Sequence, residues 1–266
     1  MSNSPIPNLE LRHIAGPQHA DADVHHEALG TLANQLGRSM AMHRHDRYFQ
    51  VHYVLNGTVR VQLEDRFHQL QGPMVFLTPP AFLHAFVTDD DADGHVLTVR
   101  QQLLQPLLKD EADWPGELSH ITPVCLAIAT LTGDHALEAT RMDYLFGQLD
   151  TEFAGQRPGR MQSLVLLTRL IFVSLLRLSS QALAWPPSSR DELQLFQRFS
   201  ALVENHFREH WAIPRYAQSL GIAEQRLNSV CQRIAGKPPK RLVHERLVQE
   251  ARRLLIHTQQ AVSQVG

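Results

Sequence analysis

Four polar residues in one stretch set the chemistry this chain could carry. His43 and His45 stand two apart, Gln50 follows after four more residues, and His84 lies further on among alternating apolar residues. Residues two apart in a strand share a face, so His43 and His45 can aim their imidazoles into one interior. With His84 and the amide oxygen of Gln50 they make a ligand set for a divalent metal such as Fe, Ni, Zn or Mn. A neutral Gln is a weaker donor than a carboxylate. The same imidazoles serve equally well as hydrogen-bond partners in a pocket for an organic ligand. Phe49, Tyr53, Phe76, Leu77, Phe82 and Phe86, interleaved with His52, supply walls suited to an aromatic ring bearing an acid and a hydroxyl. About half of them must face the other way. Tyr53, Phe82 and Phe86 are the wall residues assigned to an effector pocket, and no residue is assigned a catalytic role.

The elements that must position these groups are short strands. From Ser39 to Arg100 the sequence alternates in runs such as Phe49-Gln-Val-His-Tyr-Val-Leu55, Thr58-Val-Arg-Val-Gln-Leu63, Met74-Val-Phe-Leu77 and His95-Val-Leu-Thr-Val-Arg100. Asn56 and Gly57 form a favoured hairpin corner, Glu64 to Arg66 a polar corner, and the acidic run 89–94 a solvated loop. Strands at this spacing predict a sandwich or barrel. After Pro106 the period lengthens, and amphipathic helices are expected over 136–153 and 160–178. Residues 1–35 hold no sustained period and read as a loose lead-in. Trp185, Pro186 and Pro187 open an extended linker over 185–192, because consecutive prolines cannot continue a helix.

Composition sets the remaining bounds. A chain of 266 residues with 43% hydrophobic and 20% charged residues is an ordinary globular chain long enough for two domains. No apolar run is expected to span a bilayer, and the N-terminus has no signal-peptide pattern, which predicts a cytoplasmic protein with no membrane partner. Cys125 and Cys231 lie too far apart in sequence for a zinc ribbon and read as core residues. Residues 196–266 carry 11 Lys/Arg against 5 Asp/Glu, and the rest 14 against 22, so the net charge of −2 splits into +6 and −8. A basic C-terminal module on an acidic body points to nucleic acid.

That module carries a trihelical pattern. Leu193, Phe196, Phe199, Leu202, Val203 and Phe207 recur at helical spacing, and Pro214 suits the first turn of the next helix. Ala217 permits close packing, Gly221 supplies a tight turn, and Leu227 faces inward, the logic of a helix-turn-helix. Gly236, Pro238 and Pro239 close that helix, and a long one begins at Arg241. Gln225, Asn228 and Ser229 fall opposite Leu227, Val230 and Ile234 on a helix over 223–234. Arg226, Arg233, Lys237, Lys240 and Arg241 form a basic cluster on and after this helix, with a solvated charged face as the alternative for each taken singly.

Two resemblances follow from these residues. The spacing Gly37, His43-Arg-His45, Gln50, Gly57, then Gly72, Pro79 and His84, resembles the two cupin motifs. Gln50 stands where that family has Glu, Ala81 where it has Gly, and Thr88 where it has Asn. Tyr216-Ala-x-x-Leu-Gly-Ile222, Leu227-x-x-Val-Cys231, Gly236-x-x-Pro239 and Arg246-Leu-x-x-Glu-Ala-Arg-Arg-Leu-Leu255 resemble the first half of an AraC/XylS DNA-binding domain, with Ala223 replacing the usual Ser or Thr cap and Pro238 a Ser. The resemblance implies an α+β protein: a lead-in over 1–35, a cupin effector barrel over 36–108, a helical dimerisation region over 109–184, and helix-turn-helix residues over 193–266. It implies that Gln225, Asn228 and Ser229 face base edges in the major groove, where Gln and Asn favour adenine, and that Arg226, Arg233, Lys237, Lys240 and Arg241 contact phosphates. It also implies a second helix-turn-helix, which would open near 261–266, where the sequence given stops.

Within that family, His43-Arg-His-Asp-Arg-Tyr-Phe-Gln50, Leu77-Thr-Pro-Pro80, Asp93-Gly-His-Val-Leu-Thr-Val-Arg100 and Pro238-Pro-Lys-Arg-Leu242 resemble activators of 4-hydroxyphenylacetate catabolism. The resemblance implies a non-enzymatic transcription activator. Its partners would be a hydroxyphenylacetate effector, promoter DNA, RNA polymerase and a second copy of the chain. The rival reading is a cupin metalloenzyme, such as an aromatic dioxygenase, built on His43, His45, Gln50 and His84. A third is a sensor that binds effector without specific DNA affinity.

Overall fold

The computed structural model describes residues 7–9, 11, 22–64, 66–104, 121–179 and 191–257. They form two compact units, one containing 7–179 and the other 191–257. The first is a mixed α+β unit. Its strands are β1 (Val24–Ala28), β2 (Ser39–His43), β3 (Tyr48–Asn56), β4 (Thr58–Leu63), β5 (Arg66–Gln71), β6 (Met74–Thr78), β7 (His84–Thr88), β8 (Asp93–Arg100) and β9 (Val124–Ala127), with helix α1 (Leu29–Leu36) after β1.

These strands make two antiparallel sheets, in the orders β1-β8-β3-β6-β9 and β2-β7-β4-β5. The expected closed barrel does not form among the described residues, because no hydrogen-bonded ring joins the sheets. The Asn56–Gly57 corner shows the reason. It links β3 of one sheet to β4 of the other and is no hairpin. Gly57 turns there with φ 81°, and a Cβ on it would lie 2.5 Å from Ala92 Cα. The corner after β4 is a true hairpin, since β4 and β5 pair from Thr58↔Gln71 to Leu63↔Arg66.

β3 is central, with neighbours on both sides and nearly every residue buried. Its two faces have different fates. Gln50 and His52 turn toward the other sheet, and His52 meets Phe86 of β7 at a ring distance of 4.9 Å. Phe49 and Tyr53 turn toward two long helices, α2 (Gly133–Ala154) and α3 (Arg160–Leu178): Phe49 meets Phe172 of α3, and Tyr53 stacks on Phe146 of α2. The helical part expected over 109–184 thus packs on the sheet, and it includes a strand, β9, paired with β6.

The lead-in also holds structure. Val24 to Ala28 pair in register with β8 from Val24↔Val99 to Ala28↔His95. The polar residues His25, His26 and Glu27 mask the alternation that would mark a strand. α3 is 19 residues long and apolar enough by length and composition to span a membrane, contrary to expectation. Here Leu164, Ile171, Phe172, Leu175 and Leu178 are buried. Arg169 donates to Leu103 O, and Arg177 to Glu138 of α2.

The second unit is all helical: α4 (Asp191–His206), α5 (Ile213–Ser219), α6 (Glu224–Ala235) and α7 (Pro239–His257). α4 begins within the expected linker, the rest of which, like 258–266, lies outside the described residues. Gly221, at φ 69°, turns the chain between α5 and α6. Phe196, Phe199, Tyr216, Leu227, Val230 and Cys231 are buried in this unit. A charged pair is buried as well: Arg246 Nε donates to Glu204 at 2.8 Å, and the guanidinium lies 3.9 Å from the centre of the Phe207 ring. Arg208 and Arg246 both reach Glu250. Burying charge is tolerated only when it is paired, so these contacts fix α7 against α4.

Candidate functional site

The sheet register brings the expected histidines together. His43 of β2 lies directly across from His84 of β7, and ring centres are 4.1 Å apart for His43 and His84, 5.0 Å for His43 and His45, and 5.2 Å for His45 and His84. A candidate ligand atom from each lies within 4.8 Å of the other two. All three residues are buried, as are Gln50 and His52.

Backbone carbonyls orient the rings. Nδ1 of His43 donates to Ala41 O at 2.7 Å, that of His45 to Leu9 O at 2.6 Å, and that of His84 to Phe82 O at 3.0 Å. A carbonyl can only accept, so each Nδ1 carries the proton and each Nε2 keeps its lone pair. Nε2 of His45 and of His84 has no hydrogen-bond partner, nor has the Oε1 of Gln50. Gln50 holds its place by donating from Nε2 to Thr98 Oγ1 at 3.2 Å. Ala81, in the position where the motif has Gly, adopts φ 65° and donates its N–H to His45 O at 2.8 Å, which ties the loop before β7 to the cluster.

Burial keeps these rings neutral. It pulls His45 down to about 3, with the nearby His43 adding to the effect and the Leu9 carbonyl and the neighbouring Gln50 side chain opposing it. His84 and His52 are held well below the usual imidazole value, first by burial and then by the potentials of His43 and His45. His43 is lowered by burial too. His52 stacks face to face on Phe76 at 4.1 Å, and neither of its ring nitrogens has a hydrogen-bond partner.

An unpartnered buried polar group costs about 1–3 kcal/mol. Five such atoms on neighbouring residues of one interior call for an occupant that donates to or coordinates them. The donor set fits a divalent cation: two imidazole lone pairs and an amide oxygen point inward, and the outer nitrogens are fixed by carbonyls in the manner that orients metal-binding imidazoles. It fits a polar organic ligand as well.

The structure brings Phe86 beside His52 and buries Phe82 in the loop leading to His84. Tyr53 is not brought to the cluster. It lies on the opposite face of β3, where its hydroxyl donates to Asp143 of α2 at 3.1 Å. The alternation that puts Gln50 and His52 inside puts Tyr53 outside.

In the helical unit, Gln225, Asn228 and Ser229 are exposed on α6, opposite the buried Leu227, Val230 and Cys231. Ser229 donates its hydroxyl to Gln225 O at 3.0 Å. Most of the cations expected at phosphates are in ion pairs that the sequence did not disclose. Arg226 and Arg233 both reach Glu192, at 2.8 and 2.7 Å, and Lys237 and Arg241 both reach Glu245, at 2.9 and 3.0 Å. Lys240 is exposed and has no ion pair among the described residues. Ala223 precedes α6 without a side-chain cap.

No curated protein matches the chain significantly. Solved structures similar to it include the AraC-like transcriptional activator CuxR, at 13% identity over 85% of this chain and 73% of that one, with a TM-score of 0.43. ToxT from Vibrio cholerae, solved with an unsaturated fatty acid bound, is 9% identical over 91% of this chain and 83% of its own, with a TM-score of 0.44. KdgF from Halomonas sp. is 26% identical over 24% of this chain and 59% of its own, with a TM-score of 0.23. At these scores the likenesses are loose. A family model gives the firmer result, matching residues 27–134, which take in β2 to β9 and every residue of the histidine cluster. The family matched is the AraC-like ligand binding domain, to which residues 27–134 are similar.

Proposed function

We propose that the chain is an effector-responsive transcription regulator: its first unit senses a small aromatic acid, and its helical unit binds promoter DNA. The observation that carries the reading is the set of unpartnered polar atoms on His45, Gln50, His52 and His84, facing one interior of a ligand binding domain. A hydroxyphenylacetate, 4-hydroxyphenylacetate first, suits them. Its hydroxyl can donate to an Nε2 lone pair, its carboxylate can accept from an imidazole N–H of His52, and its ring can lie among Phe76, Phe82 and Phe86. Where a divalent metal is present, His43, His45, His84 and Gln50 would hold it, and it would supply a positive centre for the carboxylate. Either way the residues of this chain bind and orient and do not turn over substrate.

In the helical unit, α6 offers Gln225, Asn228 and Ser229 to base edges, and the cations around it compensate phosphate charge once released from Glu192 and Glu245. Exposed pairs of that kind are worth only about 0–1 kcal/mol, so exchanging a carboxylate for a phosphate costs little. Leu137 and Tyr144 on α2 and Leu166 on α3 are large, apolar and exposed, which suits a second copy of the chain and a paired half-site. Effector and DNA binding are then coupled through shared preference for one arrangement, and RNA polymerase is recruited at the bound promoter.

Selection of duplexes from a random library by the chain, with and without 4-hydroxyphenylacetate, tests this. A defined motif is expected, enriched more strongly with effector and altered at one base pair in an Asn228→Ala variant. Enrichment of no motif would contradict the DNA-binding limb.

A further inference from the structure

The face of the five-stranded sheet that packs on the helices carries a second cluster, well away in sequence from the first. His26 of β1 pairs with Leu97 of β8, and His95 lies two residues along β8, so the two imidazoles sit diagonally on one face. Nε2 of His26 is 3.0 Å from Nδ1 of His95, and Asp150 of α2 places its Oδ1 3.5 Å from Nδ1 of His26. A candidate ligand atom from each of the three lies within 4.8 Å of the others.

We propose that His26, His95 and Asp150 form a binding site for a divalent transition-metal ion, zinc above all, which links β1, β8 and α2. Imidazole nitrogen with a carboxylate oxygen is a borderline donor set that suits zinc in preference to calcium or magnesium. Two nitrogens bound to one zinc at the usual length of about 2.0–2.1 Å stand about 3.3 Å apart. The observed 3.0 Å between the rings therefore needs little change. Asp150 favours a proton on the nitrogen of His26 that faces it, which leaves the Nε2 lone pair toward His95. A metal there takes the place of the proton on His95 Nδ1, and the ring stays neutral by carrying its proton on Nε2 instead. Asp150 faces the protonated Nδ1 of His26 and holds that ring in place, an arrangement that raises the basicity of a ligating imidazole.

The surroundings are built for access and order. Phe146 stacks on His95, with ring centres 5.4 Å apart, and Phe153 meets His26 edge-on at 5.8 Å, so α2 places an aromatic ring on each side of Asp150. His26 is buried, His95 is half-buried and Asp150 is 58% exposed, which opens the site to solvent on one side. Burial lowers His26 to about 4 and lowers His95 as well, so both rings are neutral near pH 7 and have lone pairs to give. The alternative is a purely structural relay from Asp150 to His26 to His95 that pins α2 to the sheet.

The test uses the full chain stripped of metal, with zinc alone as the probe, in wild type and in His84→Gln, His95→Gln and Asp150→Asn variants. Zinc content after equilibrium dialysis and melting temperature are the readouts. The His84→Gln variant, altered only in the interior cluster, is expected to keep one zinc equivalent. Its melting temperature should rise by about 5 °C or more at roughly a hundredfold excess over Kd. His95→Gln should hold one equivalent fewer than wild type, and Asp150→Asn, whose side chain is largely exposed, should bind about tenfold more weakly or worse. Equal zinc content and affinity in wild type, His95→Gln and Asp150→Asn would overturn the site and leave the structural relay. So would the absence of bound zinc from His84→Gln. Neither result bears on effector binding at the interior cluster.

Discussion

Replacing His52 with Phe should remove one proton from the acid sensitivity of the first unit. An imidazole held neutral in the fold but titrating near 6.5 when unfolded leaves more protons on the unfolded chain at low pH. Its contribution is complete above pH 6.5 and is lost as the pH falls toward the folded value. Between pH 7 and pH 5 the loss is about 2 kcal/mol per ring. His26, His45, His52 and His84 all shift in this direction. His52 suits the test because burial holds it well below the usual imidazole value and neither ring nitrogen has a hydrogen bond to lose. Urea unfolding of the metal-free chain and of His52→Phe at pH 7, 6 and 5 gives the answer. The packing cost of the larger ring is the same at each pH and cancels in the slope. The variant should lose about 2 kcal/mol less than wild type over that range. Equal slopes, or stability independent of pH in both, would refute the reasoning.

The helical unit gives three further expectations. Ala223→Ser supplies the missing cap of α6 and should raise the stability of residues 191–257 by about 0.5–2 kcal/mol in thermal unfolding. Arg246→Ala removes the buried ion pair with Glu204 and should cost about 3–5 kcal/mol in the same assay; a change below 1 kcal/mol would mean that the pair is solvated. Glu245→Gln releases Lys237 and Arg241. It should tighten DNA binding and steepen the dependence of log K on log salt by up to about 2, one unit per freed cation, in anisotropy titrations.

Local spacing carried most of the interior cluster. The two-residue separation of His43 and His45 and the alternation through Gln50 and His52 determine facing, and β-sheet register needed only to bring His84 opposite His43. Tyr53 was misplaced because the wall list counted both faces of β3, and nothing in a doubly buried strand marks which face meets helices. β1 was not legible, since Val24-His-His-Glu-Ala28 lacks alternation and is a strand only because β8 offers an edge. The split into two sheets was also hidden, because Asn56–Gly57 has the same local chemistry in a hairpin as in a corner between sheets. His26, His95 and Asp150 meet through tertiary packing alone, across 69 residues for the two histidines. In the helical unit the inward and outward faces of α6 followed from its period. The ion pairs of Glu192 and Glu245 depend on side-chain reach across helices, which spacing does not encode.

A calorimetric titration of the purified chain with 4-hydroxyphenylacetate, before and after chelation and in a His84→Ala variant, tests the central claim most directly. The account predicts saturable one-site binding by wild type, weakened at least tenfold in His84→Ala. Survival of binding after chelation would assign the imidazoles as direct hydrogen-bond partners, and loss reversed by a divalent ion would assign them as metal ligands. Equal affinity in wild type and His84→Ala, or no heat of binding in any state, would contradict the assignment of the histidine cluster as the site of a hydroxyphenylacetate effector.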